Sequence, residues 1–318
     1  MWQTSAPAGS VSRLMRTVAV SVLLLLVLSA SCSSEEAETP RQPMTFPTRP
    51  VATLTRSGVH LFDVALSGPG PGQTMRMWVY LPPGAHREKS LPCVLVAPAG
   101  SNLITGMKLG DGDAPEHLPY ASAGFAVVAY ELDGALPEFP KPDQEAAAVK
   151  GYVASRGGVL NAQTALDYVA ERVPEVDPNR VYAAGHSSAG TVALVLAASD
   201  PRVKGAVAYA PAVNLRSFLG PDMVRIVTKS IPKAEPFLDY GSPDRRVADF
   251  TSPVMLFAAR DDETVAPQRV IDFANAMKEA GKTAELLVVE QGGHYDAMIR
   301  EGIPAGIAWL KKIDKSGG

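Results

Sequence analysis

Apolar positions along this chain fall into runs of three kinds. Near the amino terminus, Thr17 to Ala30 is almost unbroken hydrocarbon. Two later runs, His60 to Leu66 and Thr74 to Leu81, are alternating or β-branched, and Gly68-Pro69-Gly70-Pro71-Gly72 splits them. That pattern predicts a β-hairpin with a glycine-proline turn. The remaining runs are Cys93 to Ala97, Phe125 to Tyr130, Val181 to Ala184, Ala206 to Ala210, Val254 to Ala258 and Leu286 to Val289. They lack polar alternation, which predicts strands covered on both faces in a parallel sheet.

Between these runs lie segments of helical period: Gly158 to Val173, Ala189 to Ala198, Gln268 to Ala280 and Asp296 to Lys312. In the first, Leu160, Ala162, Ala165, Leu166 and Val169 share one side, as a helix lying on a sheet requires. Strands alternating with helices after an antiparallel start predict an α/β sandwich with a mostly parallel central sheet and helices on both faces, rather than a barrel or a two-domain enzyme. No repeat of fixed period is visible. Residues 214–250 show no sheet strand and interrupt the alternation, so a small cap is expected there, within a domain covering 56–315.

Composition adds exclusions. The 318 residues are 46% hydrophobic and 20% charged, with net charge -3 and pI near 6.0. This is globular composition without the basic surface that nucleic acid selects, so no nucleic-acid partner is expected. The two cysteines, Cys32 and Cys93, suggest neither a disulfide framework nor a thiolate metal site.

The amino terminus reads as an export signal spanning 1–32, with Arg13 and Arg16 before the apolar stretch and small residues after it. That stretch is short of the roughly 20 residues needed to span a bilayer. Cys32, directly after Leu28-Ser29-Ala30-Ser31, resembles the lipid-attachment cysteine of a bacterial lipoprotein signal, although Ser29 stands where such signals carry Leu. Two outcomes stay open: a lipid-anchored protein on the outer side of the membrane, or ordinary signal cleavage giving a secreted or periplasmic one. Residues 33–55, rich in Ser, Glu, Thr and Pro, are expected to form a flexible tether.

The chemistry gathers after three of the predicted strands. Gly185-His186-Ser187-Ser188-Ala189-Gly190 follows Val181 to Ala184 and opens an apolar helix. A nucleophilic serine needs such a sharp strand-to-helix turn, and small neighbours let the backbone bend that far. Alone the motif is weak, since Ala189 stands where a second Gly is usual. After Val254 to Ala258 comes Ala259-Arg260-Asp261-Asp262-Glu263-Thr264-Val265-Ala266-Pro267, and after Leu286 to Val289 comes Glu290-Gln291-Gly292-Gly293-His294. These supply an acid and a base in the chain order serine, acid, histidine.

Together these phrases resemble the α/β-hydrolase superfamily, near the dienelactone hydrolase and prolyl-oligopeptidase catalytic-domain groups, over about residues 58 to 313. In those groups the acid stands in a phrase like Gly-x-x-Asp-x-x-Val-x-Pro and the base in a Gly-x-His turn. The resemblance implies Ser187 as nucleophile, His294 as base and Asp262 as the acid that orients it, with Asp261 and Glu263 as fallbacks for the acid. Structural alternatives stand beside each role: Ser187 as a helix N-cap, Asp262 as a turn acid, His294 as a turn cap. The oxyanion donors implied are the backbone N–H of Ser188 and one from Pro98-Ala99-Gly100-Ser101-Asn102, with Gly100 the choice within that loop. His186 is expected to support the site, while His60, His86 and His117 lack ligand spacing. No metal site is read, residues 106–112 lack the spacing of a phosphate loop, and no cofactor is implied.

Three activities compete. An exported esterase on small or polymer-linked esters leads. A peptidase of prolyl-oligopeptidase type is second, disfavoured because little sequence separates the signal from the first catalytic loop, where such peptidases carry a propeller. A non-catalytic surface binding protein is third, disfavoured by the complete set of three residues. Fold alone does not choose among them.

Overall fold

In the computed structural model, residues 41–55, 57–231 and 233–316 are described. Two-sided burial decides the architecture. In a central strand such as Leu91–Val96 every residue is buried, and alternate side chains enter different cores: Cys93 and Leu95 one, Val94 and Val96 the other. A strand apolar on both faces is stable only with a helical layer on each.

The strands in chain order are β1 (Thr53–Leu54), β2 (His60–Leu66), β3 (Met75–Leu81), β4 (Leu91–Val96), β5 (Ala126–Tyr130), β6 (Val176–His186), β7 (Val203–Tyr209), β8 (Val254–Ala259) and β9 (Ala284–Val289). They form one sheet in the order β1-β2-β3-β5-β4-β6-β7-β8-β9. The pairs from β1 through β3 to β5 are antiparallel, and all others are parallel. This matches the expected mostly parallel sheet with an antiparallel start. The α/β-hydrolase class of fold is thus present, and the predicted hairpin is β2–β3.

The helices are α1 (Ala114–Ser122), α2 (Pro142–Ala154), α3 (Val159–Arg172), α4 (Ser188–Ala197), α5 (Leu215–Ser230), α6 (Ala234–Tyr240), α7 (Pro267–Glu279) and α8 (Ile303–Ser316). One core takes Ala162, Leu166 and Val169 of α3, Val192 and Leu196 of α4, and Val270 and Phe273 of α7. The other takes Tyr120 of α1 with Trp309 and Leu310 of α8. Helix α4 is buried on all sides, so its ten residues form a rigid support directly behind Ser187.

One expectation changes. Part of the expected tether 33–55 is packed, because from Arg41 the chain is fastened along α3. Phe46 is buried against the Tyr168 ring, 5.7 Å away edge to face, and its carbonyl accepts from Arg172 at 2.8 Å. Arg41 pairs with Asp167 at 2.7 Å, and Arg49 grips Glu175 with two bonds of 2.7 and 2.8 Å. A single buried aromatic flanked by prolines and charges leaves no periodicity, so composition alone suggested a linker. Among the described residues, the region 214–250 contains no strand, as expected, and folds mainly as α5 and α6, with α5 bent at Gly220 (φ 76°, ψ 163°) before Pro221. The expected export signal and the tether residues 33–40 lie outside the described residues.

Candidate active site

Parallel strands bring their carboxyl ends to one edge of the sheet, where binding sites of open α/β sheets form. His186 at the end of β6 is level with Tyr209, Tyr209 with Phe257, and Ala259 at the end of β8 with Val289 at the end of β9. Ser187, Asp262 and His294 follow those ends within a few residues.

Ser187 occupies the turn between β6 and α4 with φ 53° and ψ -120°, a positive φ in a residue with a Cβ. Such a conformation costs on the order of 1–3 kcal/mol and persists only where its surroundings impose it. Here the Ser187 N–H donates to Tyr209 O at 2.8 Å, and its carbonyl accepts from Thr191 N at 3.1 Å in the first turn of α4. A Cβ at position 185 would stand 2.4 Å from the backbone of Ala189, which explains the glycine there. Ala189 in place of the usual glycine is accommodated. Ser187 stands at the N-cap position, yet its hydroxyl makes no capping bond.

His294 and Asp262 are in contact: Nδ1 lies 2.7 Å from Asp262 Oδ2. The other carboxylate oxygen accepts from Thr264 N at 2.8 Å and Val265 N at 3.0 Å. Burial pushes this carboxyl up, but the bonds from His294 and the two amides outweigh it and leave its pKa below the ordinary value. An ionised carboxylate accepts only, so Nδ1 carries a proton, and in the neutral ring Nε2 is the nitrogen left to act as a base.

The neighbouring acids separate clearly. Asp261 turns away from the imidazole ring and accepts the N–H groups of Gly292 at 3.0 Å and Gly293 at 2.8 Å. Those two bonds lower its pKa and hold the turn, where both glycines have positive φ (120° and 61°), just before His294. Glu263 is exposed.

His186 packs its ring on that of His294, with centroids 4.5 Å apart, and Nε2 donates to the His294 carbonyl at 2.9 Å. Burial, then the nearness of His294, pushes the His186 pKa down to about 4. Glu116 of α1 lies near its other ring nitrogen, Oε1 to Nδ1 3.8 Å. Burial, with Asp113 adding, raises the Glu116 carboxyl to about 7. Sequence reasoning passed over Glu116, whose only local signal is a place in the first turn of α1.

The loop after β4 does not present the amide expected of it. Gly100 N–H donates to Ser188 Oγ at 3.1 Å, and Ser101 N–H to the same oxygen at 3.0 Å. The Gly100 amide is therefore turned to a protein acceptor, in a loop where Gly100 takes the positive φ of +99° that glycine admits. Ser101 Oγ donates to Thr105 O and accepts from Leu103 N, and Asn102 Oδ1 accepts from Ile104 N, Thr105 N and Thr105 Oγ1. Ile104 packs with Val227 and Ile231 at the end of α5 and Ala234 of α6, joining these helices to this loop. Cys32 lies outside the described residues.

Comparison with known proteins places the fold among α/β-hydrolases. The family model described as "Acetyl xylan esterase (AXE1)" matches residues 47–218, more than half of the chain. The model described as "Prolyl oligopeptidase family" matches residues 157–314. Esterase LipI of Mycobacterium tuberculosis is 30% identical over 151 residues, 45% of this chain but 41% of LipI, so the match spans about two fifths of that relative. Among solved structures, an acetyl xylan esterase from Paenibacillus sp. R4 superposes with TM-score 0.62 at 20% identity, covering 86% of this chain and 89% of that one. A puromycin-hydrolysing peptidase of Mycobacterium tuberculosis gives TM-score 0.63 at 20% identity over 79% of this chain and 40% of that one. At such identities the structural likeness speaks to the fold alone.

Proposed function

Since the chain belongs to the acetyl xylan esterase (AXE1) family of α/β-hydrolases and is a serine hydrolase, we propose that it cleaves carboxylic esters through Ser187, His294 and Asp262. The observation that carries the assignment is the 2.7 Å bond from His294 Nδ1 to a carboxylate, on a ring packed against His186, which directly precedes the strained Ser187 turn. Ser187 Oγ attacks the ester carbonyl while His294 Nε2 takes its proton. The resulting imidazolium returns that proton to the departing alcohol, leaving an acyl group on Ser187. Water, deprotonated by the same imidazole, releases the acid. Asp262 holds the ring and stabilises its cation, and the Ser188 N–H at the start of α4 faces the developing oxyanion.

Esters of small alcohols or of a polymer are the substrate class, with acetylated saccharides the first to assay in view of the family. The match of residues 157–314 to the prolyl oligopeptidase family favours a second reading, hydrolysis of short peptides. The full chain is reacted with a fluorophosphonate beside Ser187→Ala, then offered p-nitrophenyl acetate, acetylated saccharides and aminoacyl p-nitroanilides. Serine-dependent labelling with ester turnover supports the proposal. Labelling with amide turnover alone favours the peptidase, and no labelling of folded protein refutes the assigned nucleophile. We further propose export with Cys32 lipidated: Cys32→Ser then releases the protein from membranes, and unchanged membrane association contradicts it.

A further inference from the structure

We infer that the Ser188 side chain is a positioning residue of the oxyanion site, holding the loop after β4 so that Ala99 N–H, rather than Gly100 N–H, is the loop's donor to substrate. The inference rests on the esterase reading above and goes beyond it, because the proposed reaction uses only the backbone of Ser188.

Four observations carry it. Ser188 Oγ receives two backbone N–H groups, from Gly100 and Ser101, at 3.1 and 3.0 Å. A hydroxyl oxygen has two lone pairs, so both are used and neither amide is left for a ligand. Ser188 is 3% exposed, while Gly100 is exposed and Ala99 half-buried. The hydroxyl thus lies behind the loop and not in the space that substrate enters. Ala99 N–H has no acceptor among the described residues, and Pro98 before it has no N–H to offer.

The same residue therefore fixes both halves of the site. Its backbone N–H belongs to the rigid start of α4, and its side chain ties the opposing loop to that helix. Donors that stabilise an oxyanion must be set before charge develops, since reorganising them during reaction forfeits the benefit. Without the hydroxyl, two amides lose a shared anchor and the loop loses its fixed distance from Ser187. Gly-x-Ser-x-Gly patterns leave this position free, so the motif gives no hint of the role.

The test compares Ser188→Ala, Ser188→Thr and Ser188→Cys with the parent, as full chains whose folding is checked by circular dichroism and thermal melting. Turnover of p-nitrophenyl acetate is measured together with inhibition by an aryl trifluoromethyl ketone, which forms a tetrahedral oxyanion on the nucleophile. Loss of one oxyanion donor typically costs about 100- to 1,000-fold in kcat. Because Ser188→Ala loosens a donor without deleting it, kcat is expected to fall about 10- to 100-fold, with KM within about threefold. Affinity for the ketone falls by the same factor, and Ser188→Thr, which keeps the hydroxyl, restores both.

Unchanged kcat and ketone affinity in folded Ser188→Ala overturn the inference. So does a loss that Ser188→Thr fails to restore. If Ser188→Ala does not fold, Ser188→Cys decides on the same two readouts, its sulfur being a weak acceptor of nearly the same shape. A parent that neither labels with fluorophosphonate nor turns over ester overturns the esterase reading, and this inference with it. An active parent with an unimpaired Ser188→Ala overturns the Ser188 role alone.

Discussion

The two adjacent aspartates offer the sharpest test of the site, because Asp262 holds the His294 ring and Asp261 holds the turn before it. Asn at position 262 can keep accepting from Thr264 and Val265 through its carbonyl oxygen, since those bonds use Oδ1. Its NH₂ then faces His294 Nδ1 across the present 2.7 Å contact. Two donors cannot share that contact, so the ring must accept at Nδ1 and carry its proton on Nε2, where it no longer serves as a base. Wrong-tautomer substitutions of this kind lower kcat about 10,000-fold, a barrier increase of about 5 kcal/mol. Asn at position 261 retains one acceptor for Gly292 or Gly293 and leaves the ring's own bond intact, so a fall in kcat of about 3- to 10-fold is expected at that exposed position. Both variants are assayed for steady-state p-nitrophenyl acetate hydrolysis and for the rate of fluorophosphonate labelling, with melting temperatures recorded. If Asp261→Asn is the more damaging, or Asp262→Asn keeps a tenth of parental kcat, the assignment of the acid to Asp262 is wrong.

Three further outcomes follow from the geometry. Gly185→Ala places a methyl 2.4 Å from Ala189 backbone, so the turn at Ser187 must open; labelling should be lost and the melting temperature lowered, and a variant that labels normally would contradict this account of the turn. Phe46→Ala empties a buried aromatic site on α3 and should cost about 3 kcal/mol in urea unfolding without altering KM, whereas a loss under about 0.5 kcal/mol would restore the tether reading of 41–55. Burial raises the Glu116 carboxyl from 4.5 to about 7, so the folded protein holds a proton that the unfolded chain has released between those values. Its contribution to stability is therefore full below pH 4.5 and lost as pH rises through 7. Glu116→Gln should gain in melting temperature relative to the parent across that interval, and calorimetry showing a constant difference would refute the shift.

The sheet was legible because continuous apolar runs such as 93–97 and 254–258 have few alternatives once helices alternate with them, and the candidate site residues stand within a few positions of those runs. The places of α1 and α2 were not. Helix α2 buries only Ala148 and Tyr152, too few to draw a stripe, and α1 carries an internal Pro119. Strand order was equally hidden, since pairing β5 between β3 and β4 is a long-range choice that no local period records. Asp261 and Asp262 were hard to separate because both occupy one turn, and only the direction of each side chain distinguishes them. The amide of Gly100 was assigned from loop position alone, while its actual direction depends on backbone torsions.

The ring of His186 against His294 bears on where a proton can go during turnover. An imidazole that has just taken a proton from serine stands 4.5 Å, ring to ring, from a second imidazole, an arrangement that invites the proton to wander. His186 is a poor thief. Its Nε2 is already committed to the His294 carbonyl, its Nδ1 lies 3.8 Å from Glu116 Oε1, and burial keeps its basicity near pKa 4. In the proposed reaction the proton that leaves Ser187 is thus kept for the departing alcohol, and the second histidine acts as an insulating wall.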